Sequence, residues 1–538
     1  MRCLALQGTE HLLVGFLREW IYTPPVFVVG VFAAIMITTY ALIMTERFHE
    51  TLVAMGGAVA TVIAGRYFEV VYSWVPIVDA YLAWIQGDFP TLKPLLFTSG
   101  QVLTEMVDWQ TIVIVISLVI IATAASKSGL FEYICVKVVK FSGGDLSKLF
   151  VYLCLLSFML TALIGNDPAF IVISALTLTL TRAIGVDPRP YILGEVFVTN
   201  AAGASTLVGS FVNVLVSSRF NLDPKYLLSY VHFVALGAPF AVACSVIAIL
   251  LVKRAFKDEF VISEESEVKW MKKTMLALDE YSLIEDMTLF RRMSVLLVLT
   301  VAGFIIAGSL NIPLYIVAAA SAFGFLVLSG VEPEKTLHEV DWGLVVFLVS
   351  ILIVVEGVHS TGLLESIGKT LGSLTAGNMP ATMFLVISVA GILSGIMDNV
   401  SVTSALLYVV APLSLNAMVL DKTVVWALIY GANSGASMTP IGGIPNLLAF
   451  SLLERDGKPV TWKSFIKLGA PLCLISFLLG TGMLYAFTTI LGWTSTSPEL
   501  ILTLISEFLT ISGLEAGELG LPSWLIMLIT LYTHPISP

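Results

Sequence analysis

Charge is what this chain has least of. Of its 538 residues only 12% are Asp, Glu, Lys or Arg, where soluble domains carry about a quarter. By contrast 57% are hydrophobic and the mean hydropathy is +0.94. Apolar runs recur along almost the whole length, so the chain reads as an all-α polytopic membrane protein. Those runs do not alternate with polar residues, which excludes a β-barrel. A CxxC pair is also lacking. Cys3, Cys135, Cys154, Cys244 and Cys473 are scattered, odd in number and mostly inside apolar runs, and so read as small buried hydrophobes rather than disulfides or metal ligands. There is no HExxH, no GxSxG beside a usable histidine and no paired aspartate-rich motif, so an intramembrane enzyme has no catalytic constellation and the chain is expected not to be one. Nucleic-acid binding has no support, and the formal charge of −10 says little, because position relative to a bilayer outweighs the total. No convincing cleavable signal precedes the first span. Insertion into an inner or plasma membrane through the chain's own helices is expected.

What the chain does have is a polar interruption where none should be tolerated. Phe197 to Ser218 is long and apolar enough to cross a bilayer, yet its middle holds Asn200, Gly203, Ser205, Thr206, Gly209 and Asn213. A helix exposed to lipid would not carry these groups, so this one is expected to break at membrane depth. The pattern returns 233 positions later, where Asn200, Thr206, Gly209 and Asn213 are answered by Asn433, Thr439, Gly442 and Asn446, with Ser437 among them. Two interrupted hydrophobic segments in matching positions of two halves point to the binding site of a secondary transporter.

The repeat extends well beyond this segment. Val107-Asp108-Trp109 recurs as Val340-Asp341-Trp342, Gly129-Leu130 as Gly362-Leu363, and Asn166 as Asn399, all at the same offset and without a gap. Around Asn166 an apolar stretch of some thirty residues is cut by Gly165-Asn166-Asp167-Pro168. Asp-Pro is helix-start chemistry, with an N-cap followed by proline at the first helical position. Two half-length helices meeting at a polar tip are therefore expected, a re-entrant hairpin of the kind tolerated only against protein or a water-filled cavity.

Domain bounds follow from composition. An N-terminal segment spans 1–25, a first transmembrane repeat 26–252 with a surface insertion at 66–105, a charged linker 253–292, a second repeat 293–491 and a tail 492–538. Lys and Arg collect on the cytoplasmic side. The loop after the first-half span holds Lys127, Lys137, Lys140 and Lys148 where its partner has Lys369, whereas the loop after the second broken helix holds Arg455, Lys458 and Lys463 where its partner has Arg219 and Lys225 in a short turn. Matching loops thus face opposite sides, which predicts two inverted-topology repeats, each with a re-entrant hairpin and a broken helix. The linker and the 454–463 loop are then cytoplasmic, with the first hairpin opening inward and the second outward.

Glu46-Arg47-Phe48-His49-Glu50-Thr51-Leu52, Asp108-Trp109, Lys127-Ser128-Gly129-Leu130-Phe131-Glu132, Asp398-Asn399-Val400 and the paired Asn-rich glycine segments together resemble the ion transporter superfamily. That group includes arsenite efflux permeases, D-type sodium/proton antiporters, the melanosomal P protein and citrate-transporter-like proteins. The resemblance covers roughly residues 26–490. It implies a central site built from both hairpins and both broken helices, and a homodimer. Arsenite and P-protein types tend to carry Asp-Asn-Val-Thr at the first tip and Gly-Asp-Pro-Pro-Asn after the first break. Here the tip is Gly165-Asn166-Asp167-Pro168 and the second motif, Gly209-Ser210-Phe211-Val212-Asn213, lacks its acid, so the resemblance does not fix the substrate.

The expected ion- or substrate-binding set is Asn166, Asp167, Asn200, Ser205, Thr206, Asn213, Asp398, Asn399, Asn433, Ser437, Thr439 and Asn446. Carbonyl ends of a broken helix suit Na⁺ and amide ends suit anions. The plainer alternative is that these side chains only satisfy opened backbone or pack between helices. Carboxyls at membrane depth are costly and are candidate carriers of H⁺ or Na⁺. Asp398 and Asp167 rank first, although Asp167 also reads as a plain N-cap. Glu356 and Glu195 follow, as groups that either carry protons or lie at the interface. Asp108 and Asp341 at span starts, and His359 at a boundary, read as structural. No cofactor is expected beyond a coupling Na⁺ or H⁺; the partners expected are the bilayer and a small ion or organic anion. The function expected is alternating-access transport, as cation/proton antiport or arsenite-type oxyanion efflux. Di- or tricarboxylate transport is the alternative, and an ion channel or intramembrane enzyme is more remote.

Overall fold

The computed structural model describes residues 26–45, 47–72, 102–104, 106–220, 228–260, 284, 286–310, 312–330, 333–338, 340, 342–375, 378–415 and 421–489. The N-terminal segment, most of the 66–105 insertion, the centre of the linker, the tail, Cys3 and Asp341 lie outside them. Among the described residues every regular element is helical.

In the first half the helices are α1 (Val26–Met44), α2 (Glu50–Tyr72), α3 (Trp109–Lys127), α4 (Leu130–Ser142), α5 (Leu146–Ile164), α6 (Asn166–Ile184), α7 (Arg189–Ala202), α8 (Phe211–Phe220) and α9 (Tyr230–Ala255). The second half gives α10 (Met287–Leu310), α11 (Leu314–Leu328), α12 (Pro333–His338), α13 (Trp342–His359), α14 (Leu363–Leu374), α15 (Met379–Ser394), α16 (Asn399–Leu415), α17 (Asp421–Gly435), α18 (Ile444–Arg455) and α19 (Trp462–Thr489). From α3 onward the helix starts keep the offset of the sequence repeat: α3 and α13, α4 and α14, α5 and α15, α6 and α16, and α8 and α18 begin at matching residues. Two boundaries shift. α2 runs to Tyr72, into the stretch read as insertion, and α10 starts at Met287, inside the stretch read as linker.

Nine helices are long and apolar enough to cross a membrane among the described residues. They include both legs of the first hairpin, each 19 residues, or about 28 Å. The expectation of half-length legs is thus corrected. The hairpin itself stands, because α5 and α6 are joined by Gly165 alone and pack against each other. Gly165 has φ 91° and ψ 161°, a reversal that a side chain would strain. The expected cap at Asp167 is also corrected. α6 starts two residues earlier, with Gly165 at the N-cap position, so Asp167 and Pro168 lie inside the first turn. The cap belongs instead to the second hairpin, where Asp398 accepts from the amides of Val400 and Ser401, both at 3.0 Å.

Among the described residues each half has an odd number of crossings. α1, α2, α3, the broken pair α7–α8 and α9 cross once, and the hairpin returns to its own side. An odd count starts the second copy on the opposite face, which makes the repeats inverted. Packing between halves is reciprocal, as a pseudo-two-fold axis requires. α2 packs on α13 and α11 on α3, while α6 packs on α18 and α16 on α8. The hairpin bases fall on opposite faces. Arg182 at the end of α6 meets Asp456 after α18 at 2.5 Å, whereas Arg219 near the end of α8 lies over the Tyr408 ring of α16 at 5.0 Å. At the centre Phe240 of α9 stacks on Tyr430 of α17, with centroids 3.9 Å apart, and the Tyr430 hydroxyl donates to Leu236 O at 2.6 Å.

Candidate functional site

Both broken helices stop short of a span. α7 has 14 residues and α8 has 10, about 21 and 15 Å, and residues 203–209 between them form two short 3₁₀ turns. Opened backbone in hydrocarbon needs internal partners, and one asparagine per half supplies them. Asn213 donates through Nδ2 to the carbonyls of Gly203 at 2.6 Å and Thr206 at 2.7 Å. Asn446 does the same for Ala436 at 2.7 Å and Thr439 at 2.9 Å.

The two breaks then meet. Asn200 Nδ2 donates to Asn446 Oδ1 at 2.8 Å, and Asn433 Nδ2 donates to Asn213 Oδ1 at 3.0 Å. This is one contact and its symmetry mate, made by four buried carboxamides. Close approach is needed here, since a Cβ on Gly203 would lie 2.7 Å from Asn433 Oδ1. The hairpin tips seat on the same centre, again in symmetric fashion. Thr206 Oγ1 donates to Ala162 O at 2.7 Å, and Thr439 Oγ1 donates to Gly395 O. A tip that touches the break of a membrane-crossing helix lies in mid-bilayer, as a re-entrant tip should.

The predicted set therefore converges, but its members do different things. Asn213 and Asn446 spend both amide hydrogens on their own breaks, and Thr206 and Thr439 tie tips to breaks. The buried oxygens with no partner among the described residues include Asn166 Oδ1, Asn200 Oδ1 and Ser205 Oγ, with Asn399 and Ser437 buried nearby in the sequence of tip and break. Asp167 and Asp398 are half-buried at the two tips.

A small cleft of about 70 Å³ reaches the second tip and break, lined by Met44, Glu50, Phe347, Asp398, Gly443 and Ile444 among others. None of its described lining residues is Lys, Arg or His. The first break, by contrast, is buried from Ala201 through Asn213.

The remaining carboxyls separate sharply. Glu195 is fully buried in α7, where Thr177 Oγ1 of α6 donates to its Oε1 and its Oε2 has no partner among the described residues. Glu356, in the last turn of α13, accepts from the Tyr408 hydroxyl of α16 and lies 3.1 Å from His359 Nδ1. Asp108 caps α3 through the amides of Gln110 and Thr111, at 3.1 and 3.3 Å. Outside the spans, burial pushes the Asp187 carboxyl up, but Arg189, bonded to it at 2.5–3.1 Å, outweighs this and holds it below the usual carboxylate range.

The sequence pattern of the citrate transporter family CitMHS matches residues 40–426 and again 373–534. The chain belongs to that family. Curated relatives include an uncharacterized transporter of Mycobacterium tuberculosis, 27% identical over 447 residues, which cover 83% of this chain and 95% of the relative. The human P protein is 25% identical over 560 residues, 91% of this chain and 63% of that protein. Among solved structures, the YdaH transporter of Alcanivorax borkumensis aligns with a TM-score of 0.50 at 14% identity, over 81% of this chain and 100% of that one, and shares the fold. The family, the Mycobacterium tuberculosis relative and the solved neighbour are named as transporters, and this CitMHS chain is an integral membrane transporter.

Proposed function

We propose that this transporter is a secondary active carrier, working as a homodimer, that moves a small ion past the crossed asparagines by alternating access, coupled to H⁺ or Na⁺. The observation that carries the reading is the reciprocal Asn200–Asn446 and Asn433–Asn213 pairing, which brings two opened backbones and two hairpin tips to one buried point beside a cleft. With the 454–463 loop in the cytoplasm, the cleft opens inward, since it is bordered by the α1–α2 turn and the start of α13 on that face. The state is then inward-open, and the outward state needs the tips and breaks to move as a unit against α1–α3 and α10–α13.

Glu50 and Asp398 on the cleft, without a basic side chain among the described lining residues, favour cation/proton antiport over passage of a bare anion, because like charges repel strongly where water is excluded. A second reading, carriage of a di- or tricarboxylate, is favoured by the family pattern. Such an anion reaches this cleft only with its charge offset by protons or accompanying cations.

The test is purified protein in liposomes with an internal pH-sensitive dye, challenged in turn with Na⁺, Li⁺, arsenite, citrate and succinate. One ligand should drive saturable proton flux, and Asp398→Asn should abolish it. Intact flux in a folded Asp398→Asn protein removes that residue from the mechanism, and gradient-independent conductance would make the protein a channel.

A further inference from the structure

The two halves share a fold but not a lining. Around Glu195 the first half gathers polar groups that have no partner among the described residues: Ser157 and Thr161 on α5, and Glu195 Oε2 and Thr199 on α7. Thr177 of α6 closes the ring through its bond to Glu195, and Asn166 Oδ1 and Asn200 Oδ1 continue it to the centre. All are buried.

The levels can be read from contacts. α5 and α7 run side by side from the hairpin base, with the Tyr191 hydroxyl 3.5 Å from Leu146 O. A Cβ on Gly194 would lie 3.0 Å from Cys154 Sγ, so Ser157 and Thr161 stand one and two turns nearer the tip, beside Thr199. On α6, Asn166 and Thr177 are three turns apart on one face. A polar lane thus climbs from Glu195, six residues or about 9 Å inside the start of α7, to the crossed asparagines.

Fold does not require the lane. At the matching positions of the second half, Ser157, Thr177, Glu195 and Thr199 are replaced by Ala390, Val410, Leu428 and Ala432, all buried. Each polar side chain kept in the first half without a partner costs stability, and its apolar counterpart shows that helix packing here is satisfied without it.

We propose that Glu195 is a proton-holding group of the carrier, served by this lane. In the inward-open state the carboxyl carries its proton on Oε2. On deprotonation the proton leaves to water entering the lane, and the carboxylate stays hydrogen-bonded to Thr177; on the return step it takes a proton back. The titratable groups facing Glu195 are the thiols of Cys154 on α5 and Cys135 on α4, with Glu132 one turn before Cys135. None supplies a positive charge that would lock the carboxylate. The inference rests on the transport reading only for the direction in which the proton moves; the presence of a titrating carboxyl does not depend on it.

The experiment is pH-titrated infrared difference spectroscopy of the purified protein in lipid vesicles, in water and in heavy water, with no substrate added. The wild type should show a protonated-carboxyl band that shifts in heavy water and vanishes as pH rises. Glu195→Gln, which keeps the shape and the acceptor for Thr177, should lose that band while Asp398→Asn keeps it, and proton flux should fall at least tenfold in Glu195→Gln. Glu195→Asp, should the Gln variant fail to fold, should move the midpoint of the titration rather than abolish it. A spectrum unchanged by Glu195→Gln, a midpoint unmoved by Glu195→Asp, or wild-type proton flux in Glu195→Leu, the residue of the second half, overturns the proposal. Loss of the band together with absence of flux under every ligand would leave Glu195 as a titrating group and instead refute the transport coupling.

Discussion

Asn213→Ala and its symmetry mate Asn446→Ala each remove three buried hydrogen bonds at the centre. The Asn213 carboxamide donates to Gly203 O and Thr206 O and accepts from Asn433 Nδ2, so truncation breaks three buried hydrogen bonds at once, with Thr206 O keeping Gly209 N and Asn433 Nδ2 keeping Ile429 O. Hydrogen bonds between membrane helices average about 0.6 kcal/mol in double-mutant cycles, which sets a floor near 2 kcal/mol for three. A buried group left stranded adds about 1–3 kcal/mol, and water entering the gap lowers that sum, so a loss of about 2–5 kcal/mol is expected. Asn446→Ala should cost the same within about 1 kcal/mol, because its three bonds are the symmetry mates of these. Asn213→Asp should be no milder, since it keeps the acceptor but turns two donors into an oxygen facing two carbonyls. The assay is reversible unfolding in mixed micelles at increasing dodecyl sulfate, followed by tryptophan fluorescence and circular dichroism. A change below about 0.5 kcal/mol for Asn213→Ala would refute the idea that these side chains hold the breaks.

Other outcomes follow from single contacts. Gly165→Ala forces a side chain into φ 91° with its Cβ 3.2 Å from Val208 O, which should cost about 1–2 kcal/mol in the same unfolding assay. Tyr408→Phe deletes the hydroxyl that α16 donates to Glu356 of α13; if the hairpin moves against α13, transport should speed up or slow down at least twofold without loss of fold, read as initial flux in liposomes. The Asp187 carboxyl is held low by Arg189, so its contribution to stability is complete above the ordinary carboxylate range of about 4 and is lost as pH falls through the lower folded-state value. Asp187→Asn should therefore flatten the acid side of a thermal-midpoint profile, and a profile identical to that of the wild type would refute this.

Legibility varied with the range of the interaction. The repeat was readable because one offset carries landmarks from Val107 to Asn446, and a duplicated unit folds the same way twice. The broken helices were readable because asparagine and glycine have no business on lipid. Asp167 was misread because Asp-Pro is a local cap pattern, whereas the actual helix start is set by the reversal at Gly165, a tertiary demand of the tip. For Glu195 the sequence left proton carriage and a place at the interface both open; only the packing of α5 and α6 over it shows its burial. The pairing of Asn200 with Asn446 rather than with its own repeat mate Asn433 carried no sequence signal at all, since it depends on how the halves are related in space.

By itself the sequence determined that the chain lives in a bilayer, that it is built twice, and where each copy opens its backbone, because hydropathy and spacing are properties of the chain alone. Tertiary structure decided which asparagine answers which, and which carboxyl is sealed and which borders a cleft. Those are choices among partners far apart in sequence, and in a medium without water each polar atom is settled by whatever the fold brings within reach.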